Sequence, residues 1–514
     1  MTIFADKPIP MEQFLNNFLL GASILLLLSI VLSKSSSRFG LPVLVLFLFI
    51  GMMAGSDGIG GINFSNYELT HSLSLVALCL IIFNGGFETP FNKVKKDFGR
   101  GVVLSSIGVM LTTFLVGGFT HLVTDLGLLE SLLIGAILSA TDAAAVFSAF
   151  KDPTAQVGDV KNILRFESGS NDPMAYFLVS VIIGFIEQGM GDVKTTAIMF
   201  ISNPIIGLIG GWVTAHSFIL INNVVKLDFN GLYPPLTMAM LFLGYSLTTK
   251  LGGNGFLAVY VFGMMIGNRK ILHKNLLSLF FDGVTWLSQI GLFIMLGLLV
   301  FPNRLLTVAP AGLFIACFLT FAARPITVFL CLVKSRFNLN EKLFISWAGL
   351  KGATPIVFAS FAATHIGEKA HVLFDIVFFV VIISALMQGS TLKFIARKLG
   401  LIVEQEDEVN FPVDMELLEQ TKHGIVQLEL KQSDYAVENR VVDLGLPVGA
   451  IVLFIKRHGA FIIPDGATVF EKGDKILLVT KLKEDLEAAQ ECFEKKKIEE
   501  LDEEDDDTQE LHAA

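Results

Sequence analysis

Thirteen apolar runs fill residues 12–396, most of them near the roughly 20 residues a helix needs to cross the hydrocarbon core of a bilayer. They are 12–33, 40–56, 70–87, 100–124, 128–150, 162–187, 194–223, 232–249, 253–268, 281–301, 307–333, 342–364 and 370–396. In hydrocarbon a lone strand or loop leaves backbone polar groups without partners, so runs of this length point to spanning helices. The charged fraction, 17%, agrees, since a soluble domain carries about a quarter. The chain therefore reads as an all-α polytopic membrane protein with 13 transmembrane helices. No basic n-region and no small-residue cleavage site precede the first run, which reads as a retained helix rather than a signal peptide.

Lys and Arg give the orientation. One set of loops holds Lys34 and Arg38; Lys93, Lys95, Lys96 and Arg100; Lys151, Lys161 and Arg165; Lys226; Arg269, Lys270 and Lys274; Lys334, Arg336 and Lys342; and Lys393, Arg397 and Lys398. The opposite set, with the N-terminus, offers Lys7, Lys194, Lys250, Arg304 and Lys369. The first set is expected in the cytoplasm, which with an odd number of spans puts the N-terminus outside and the C-terminus inside.

Composition changes after Gly400. Residues 1–398 form the transmembrane domain, 399–423 a polar linker, 424–495 a small cytoplasmic α+β domain, and 496–514 an acidic tail expected to be disordered. Within the small domain GIVQLEL and KILLVT read as strands, ENRVVDLGLP as a short helix ending at Gly445, and AIVLFIKR with AFIIPD as a hairpin through His458-Gly459. The four cysteines, Cys79, Cys317, Cys331 and Cys492, have no metal-ligand spacing and suggest no disulfide or zinc framework.

Carboxylates inside apolar segments mark ion or proton pathways, because burying them in a bilayer is costly. Asp142 lies in the fifth segment, and Glu167 and Asp172 lie in the sixth. A carboxylate at Asp172 binds a monovalent cation when ionised and a proton when not, and that competition is what an exchanger requires. The alternative is a structural carboxylate paired to a basic residue. Ser168, four residues earlier, shares a helical face with Asp172 and offers a second oxygen. Glu167 is turned away by about 140°. Arg324, alone in FLTFAARPITVFLC, demands a buried acidic partner, so Glu167 and Arg324 are assigned as a structural pair.

Thr141-Asp142 interrupts the fifth segment, and Lys351-Gly352-Ala353-Thr354-Pro355 interrupts the twelfth. A Gly and a Pro this close leave backbone groups without helical partners. Two crossed discontinuous helices solve the problem inside a membrane protein. Asp142 suits facing helix N-termini and Lys351 facing C-termini. The alternative is a loop with a snorkelling Lys351. With the first helix set aside, the two breaks fall at matching places in two six-helix blocks, as inverted repeats require. Glu88, after Asn84-Gly85-Gly86, reads as an interfacial carboxylate beside the basic loop that follows.

With these residues in place the chain resembles a cation/proton antiporter. More narrowly it resembles the exchanger branch, bacterial NhaP-type and animal sodium/proton exchangers, with an Asn-Asp pair in the sixth of thirteen helices. The matching pieces are ATDAAAVFSAF, FESGSNDPMAYF, FAARPITVF and WAGLKGATPIVFA, in the expected order. The resemblance implies that Asp172 is the cation- and proton-binding carboxylate and Asn171 its partner in the pair. It makes Ser168 and the Thr141 backbone carbonyl further ligands of a monovalent cation. It makes Glu167 and Arg324 the internal ion pair, and places Asp142 and Lys351 at the helix crossing. It further implies a homodimer, elevator-type alternating access and electroneutral exchange. Two departures stand out: Asn84 sits where members often carry an acid, and Lys351 where they carry an arginine. Residues 424–495 resemble a TrkA-C (RCK C-terminal) domain, a combination that among bacterial relatives points to potassium/proton antiport.

The expectation is thus a cell inner-membrane antiporter exchanging K⁺, or Na⁺ or another alkali cation, for H⁺, regulated by its C-terminal domain. Its partners would be the two ions, membrane lipid and a second copy, with no nucleic acid. No cofactor is expected beyond a nucleotide effector on the C-terminal domain. A Na⁺/H⁺ antiporter is the alternative. A ligand-gated cation channel would need a filter of the TVGYG kind, which the sequence lacks. No nucleophile–base motif suggests an enzyme.

Overall fold

The computed structural model describes residues 11–402 and 424–494, apart from 40–42, 65, 143–145, 148–149, 151–157, 159, 190–192, 226, 270 and 483. The chain divides into two compact units, Met1–Glu404 and Gln405–Ala514.

The first unit runs through α1 (Met11–Phe39), α2 (Val43–Ala54), α3 (Tyr67–Phe87), α4 (Phe98–Val123), α5 (Leu128–Ile137), α6 (Val160–Gln188), α7 (Val193–Val224), α8 (Tyr233–Lys250), α9 (Gly255–Gly267), α10 (Lys274–Leu298), α11 (Pro302–Cys331), α12 (Leu339–Trp347), α13 (Ala353–Ala363) and α14 (Ala370–Lys398). Among the described residues eight helices, α1, α3, α4, α6, α7, α10, α11 and α14, are long and apolar enough to cross a membrane. Four more, α2, α5, α9 and α13, are apolar but shorter. Every apolar segment of the sequence carries a helix, and the twelfth carries two, α12 and α13.

Local chemistry sets the ends. Asn66 and Asn254 cap α3 and α9 by accepting the N–H of Leu69 and Leu257. Asn338 and Glu341 form a reciprocal capping box at the start of α12. Within α11 a π turn spans Leu319–Ala323, just before Pro325, which has no N–H to offer the Phe321 carbonyl.

The helices pack as two groups. In one, α3 lies against α9 and α10, α2 against α10, and α9 against α7 and α8. In the other, α4 lies against α5, α6 and α11, and α14 against α11 and α13. The groups meet where α13 crosses α3 and α9 touches α6. The α3–α9 contact depends on Gly263 and Gly267. A methyl group at either would collide with the carbonyl oxygens of Phe83 and Phe87, so only bare backbone allows this approach. At the other extreme Leu20, Leu27 and Val31 of α1 stand exposed, as side chains facing lipid would.

The second unit holds a four-stranded antiparallel sheet of β1 (Gly424–Glu429), β2 (Ala450–Arg457), β3 (Ala460–Ile462) and β4 (Lys475–Thr480), in the order β1-β4-β2-β3. The helix α15 (Asp485–Glu494) buries Ala489 and Phe493 against Val452, Ile455, Ile476 and Leu478. The β2–β3 turn uses His458 and Gly459 at φ 48° and 83°, the left-handed pair that a two-residue hairpin needs. The short helix ahead of Gly445 is one 3₁₀ turn, Val441–Leu444, closed by Gly445 at φ 58°. Arg457 locks this unit by donating to both carboxylate oxygens of buried Asp474, to Glu471 and to the Val469 carbonyl. Most of the linker, 403–423, and the tail from 495 lie outside the described residues.

Candidate ion-binding site

A cavity of about 300 Å³ lies on the seam between the two helix groups. One wall is α3 and α10, and the other is α6, the break after α5 and the start of α13. Its lining includes Glu88, the residue that follows α3, with Arg165 and Asp282, in the opening turns of α6 and α10. Asp172 lines its buried base.

Asp172 sits in mid-helix, followed by Pro173. Pro173 has no N–H, so the Gly169 carbonyl one turn back loses its helical donor. Gly169 lines the same cavity. Asp172 Oδ2 accepts a hydrogen bond of 3.0 Å from the Thr354 hydroxyl of α13. Its other oxygen, Oδ1, is buried without a hydrogen-bond partner among the described residues. The turn bearing Asp172 is tied to the α5 break: Ser168 Oγ donates to the Thr141 carbonyl at 2.8 Å, and Asn171 Nδ2 to Thr141 Oγ1 at 2.6 Å. On the far side Asn254, the cap of α9, donates to the Pro173 carbonyl at 2.7 Å.

The two interruptions meet, and several of the described backbone groups there find partners across the crossing. The Asp142 N–H donates to the Leu350 carbonyl at 2.8 Å, and Lys351 Nζ to the Ala140 carbonyl at 2.9 Å. The Lys351 N–H goes to Ser384 Oγ, and Gln388 Nε2 donates to the Trp347 carbonyl. Gly352 precedes the first turn of α13, and a methyl group there would strike the Asp142 carboxylate. An acid therefore lies at a helix N-terminus and an ammonium at the open end of α5, both favourable to the exposed peptide dipoles.

Glu167 and Arg324 form a bidentate pair at 2.5 and 2.8 Å, with 1% and 5% of their surfaces exposed. The guanidinium passes Gly349, whose missing side chain leaves room for Nε. Glu88 stands 3.9 Å from Arg165 at the cavity rim.

Several polar residues at the site escape a reading of sequence alone. Thr354 lies within the KGATP stretch, yet nothing in the spacing marks its hydroxyl for Asp172. Asp282 opens an apolar segment and looks like a helix-end acid. Its signal is periodic: Asp282, Thr285 and Gln289 share one face of α10, and all three line the cavity.

The family model described as "Sodium/hydrogen exchanger, transmembrane" matches residues 23–398, and the TrkA-C domain model matches 425–491. A K(+)/H(+) antiporter NhaP of Alkalimonas amylolytica is 35% identical over 91% of this chain and 82% of its own length. A K(+)/H(+) antiporter NhaP2 of Shewanella oneidensis is 35% identical over 93% and 83%. The Na(+)/H(+) antiporter 1 of Methanocaldococcus jannaschii is 27% identical over 67% of this chain and 83% of its own. The solved structure of the sodium proton antiporter MjNhaP1 from that organism superposes with a TM-score of 0.65 at 23% identity, covering 73% of this chain and 97% of that one.

Proposed function

The chain belongs to the sodium/hydrogen exchanger family, and on that premise we propose that it exchanges cytoplasmic K⁺ for H⁺ as a secondary antiporter in the cell inner membrane. The observation that carries this reading is Asp172 itself. It is a buried carboxylate at the base of a cavity, with one oxygen held by Thr354 and the other free to take a cation or a proton. Ser168, Asn171 and the Thr141 carbonyl would complete the ligand set by exchanging their present hydrogen bonds for the ion. Glu167–Arg324 fixes the rotation of α6, and Asp142 with Lys351 holds the crossing together.

Potassium is favoured over sodium by the extent of similarity. The relatives named as K(+)/H(+) antiporters match over 91–93% of the chain, beyond the membrane unit and into the small domain. The relative named as a Na(+)/H(+) antiporter matches over 67%. The site lies on a seam between two packed helix groups, which suits alternating access in which one group slides against the other. Thirteen crossings with the N-terminus outside, inverted repeats, a homodimer within lipid, one-for-one electroneutral exchange and regulation by the TrkA-C domain through a nucleotide complete the proposal. Family membership displaces the channel reading.

The test is dequenching of a pH-sensitive dye in proteoliposomes given K⁺ or Na⁺ separately over a range of pH. A K⁺ response lost in Asp172→Asn is the expected result. A response to Na⁺ alone would keep the mechanism and change the ion. Exchange that persists in Asp172→Asn would overturn the assignment.

A further inference from the structure

Pro173 interrupts the backbone ladder of α6 one residue after Asp172. A proline inside a helix costs stability, and such a break of a local rule is kept where it has a use. It offers no N–H to the Gly169 carbonyl, and its ring presses that carbonyl outward from the helix. In a membrane a carbonyl freed in this way needs another partner. Helical carbonyls point toward the C-terminus, so the Gly169 oxygen is aimed at the turn that carries Asp172. The Asp172 side chain leans back toward the N-terminus, as helical side chains do, and residues three apart are surface neighbours. Carbonyl and carboxylate therefore converge, and both residues line the cavity. Asp172 Oδ1 is itself buried without a hydrogen-bond partner among the described residues, so the same corner holds a second unsatisfied oxygen. On the flank away from the cavity the buried Tyr260 ring lies against Gly169, where a methyl group would strike it, and brings only carbon there. The one α9 amide nearby, Asn254, donates to the Pro173 carbonyl instead.

We propose that the Gly169 carbonyl is a further oxygen ligand of the cation held at Asp172, and that Pro173 is the positioning residue that frees it. The proposal deepens the antiport reading and rests on it for the identity of the ion. A backbone carbonyl is a hard, neutral oxygen of the kind that can replace the water shell of K⁺. Interrupted membrane helices turn freed carbonyls to the same use. Neutrality gives this oxygen a task distinct from that of the carboxylate. Asp172 takes either a cation or a proton, whereas a backbone carbonyl only accepts and does not titrate. A neutral oxygen beside Asp172 therefore tightens the hold on the cation without tightening the hold on the proton. It moves the competition between them toward the cation.

The experiment gives the missing donor back. Pro173→Ala supplies an N–H that captures the Gly169 carbonyl, which closes the helix and withdraws the ligand. In proteoliposomes of the full chain, half-saturating K⁺ at alkaline pH, where protons compete least, should rise about tenfold or more, the worth of one contact with a charged partner. In detergent without K⁺ the variant should unfold at or above the wild-type temperature, because the helix gains a bond and loses a proline. The rise in Tm when K⁺ replaces choline at constant ionic strength should shrink. Stability that holds while affinity falls separates a ligand from a packing role, which would lower both. Should Pro173→Ala fail to fold, Pro173→Ser supplies the same N–H and should give the same pair of results. Pro204→Ala makes the equivalent repair in α7, away from the cavity, and should leave half-saturation where it was. The proposal is overturned if the repaired α6 keeps the wild-type half-saturation and K⁺-dependent rise in Tm, if its Tm without K⁺ falls along with affinity, or if Pro204→Ala shifts half-saturation equally. Exchange that persists in Asp172→Asn would sink the antiport reading instead.

Discussion

Arg324→Met should destabilise the membrane unit far more than replacing Arg324 and Glu167 together. The single change leaves the Glu167 carboxylate 99% buried with its two charge-assisted hydrogen bonds gone. Each such bond is worth about 1.5–3 kcal/mol, and breaking one side of a buried pair costs about 3–5 kcal/mol in measured cases. The neighbouring ammonium of Lys351 offers little compensation, because it is committed to the Ala140 carbonyl. Taking about 4 kcal/mol, and roughly 2 cal/mol/K of unfolding entropy per residue over the Met1–Glu404 unit, the apparent Tm should fall by about 5 °C. Glu167→Met with Arg324→Met removes both charges at similar volume and should recover most of that loss. The assay is heating of detergent-solubilised protein followed by size-exclusion chromatography of the survivors. A single variant as stable as the wild type, or a double variant whose loss equals the sum of the two singles, would refute the argument that an uncompensated buried charge is what costs.

Thr354→Val removes the hydroxyl that orients Asp172, and should raise half-saturating K⁺ in proteoliposomes by about tenfold or more, the worth of one hydrogen bond to a charged group. Lys351→Met leaves the Ala140 carbonyl buried without its donor, at about 1–3 kcal/mol, and the same thermal assay should read that loss while Lys351→Arg retains most of the stability. In the small unit Arg457→Met strips buried Asp474 of its counter-ion and should make the residues after 424 sensitive to protease in the full chain. The Thr468 hydroxyl, with backbone N–H groups at the same turn, holds the Asp465 carboxyl below its ordinary value of 3.8. That stabilisation is present above pH 3.8 and is lost as pH falls through the lower folded value. Asp465→Ala should therefore flatten the acid end of a protease-sensitivity titration.

Much of the site can be read from the chain because a charge in an apolar run is conspicuous by its cost. Asp142, Glu167, Asp172, Arg324 and Lys351 declare themselves in this way, and helical spacing separates the face of Ser168 and Asp172 from that of Glu167. Thr354, Thr285 and Asn254 do not stand out, since neutral hydroxyls and amides carry no charge whose burial would mark them. Asn84 shows the limit from the other side. Its place beside two glycines is visible in sequence, but Asp282, the carboxylate to which its amide donates, arrives from a helix 198 residues away.

By itself the sequence determined the class of fold, the places where helices break and the residues that carry charge into the bilayer. Each of these follows from local quantities: the length of an apolar run, the missing N–H of a proline, the cost of one ion. Apart from the Glu167–Arg324 pair, which the cost of a lone buried arginine already announces, tertiary structure decided which groups meet. Thr354 finds Asp172 across 182 residues, and Lys351 finds Ala140 across 211. Those encounters depend on how each helix is rotated about its axis and how closely the bare glycine backbones let neighbours approach. Packing fixes both at once for the whole bundle, and no window of local sequence contains them.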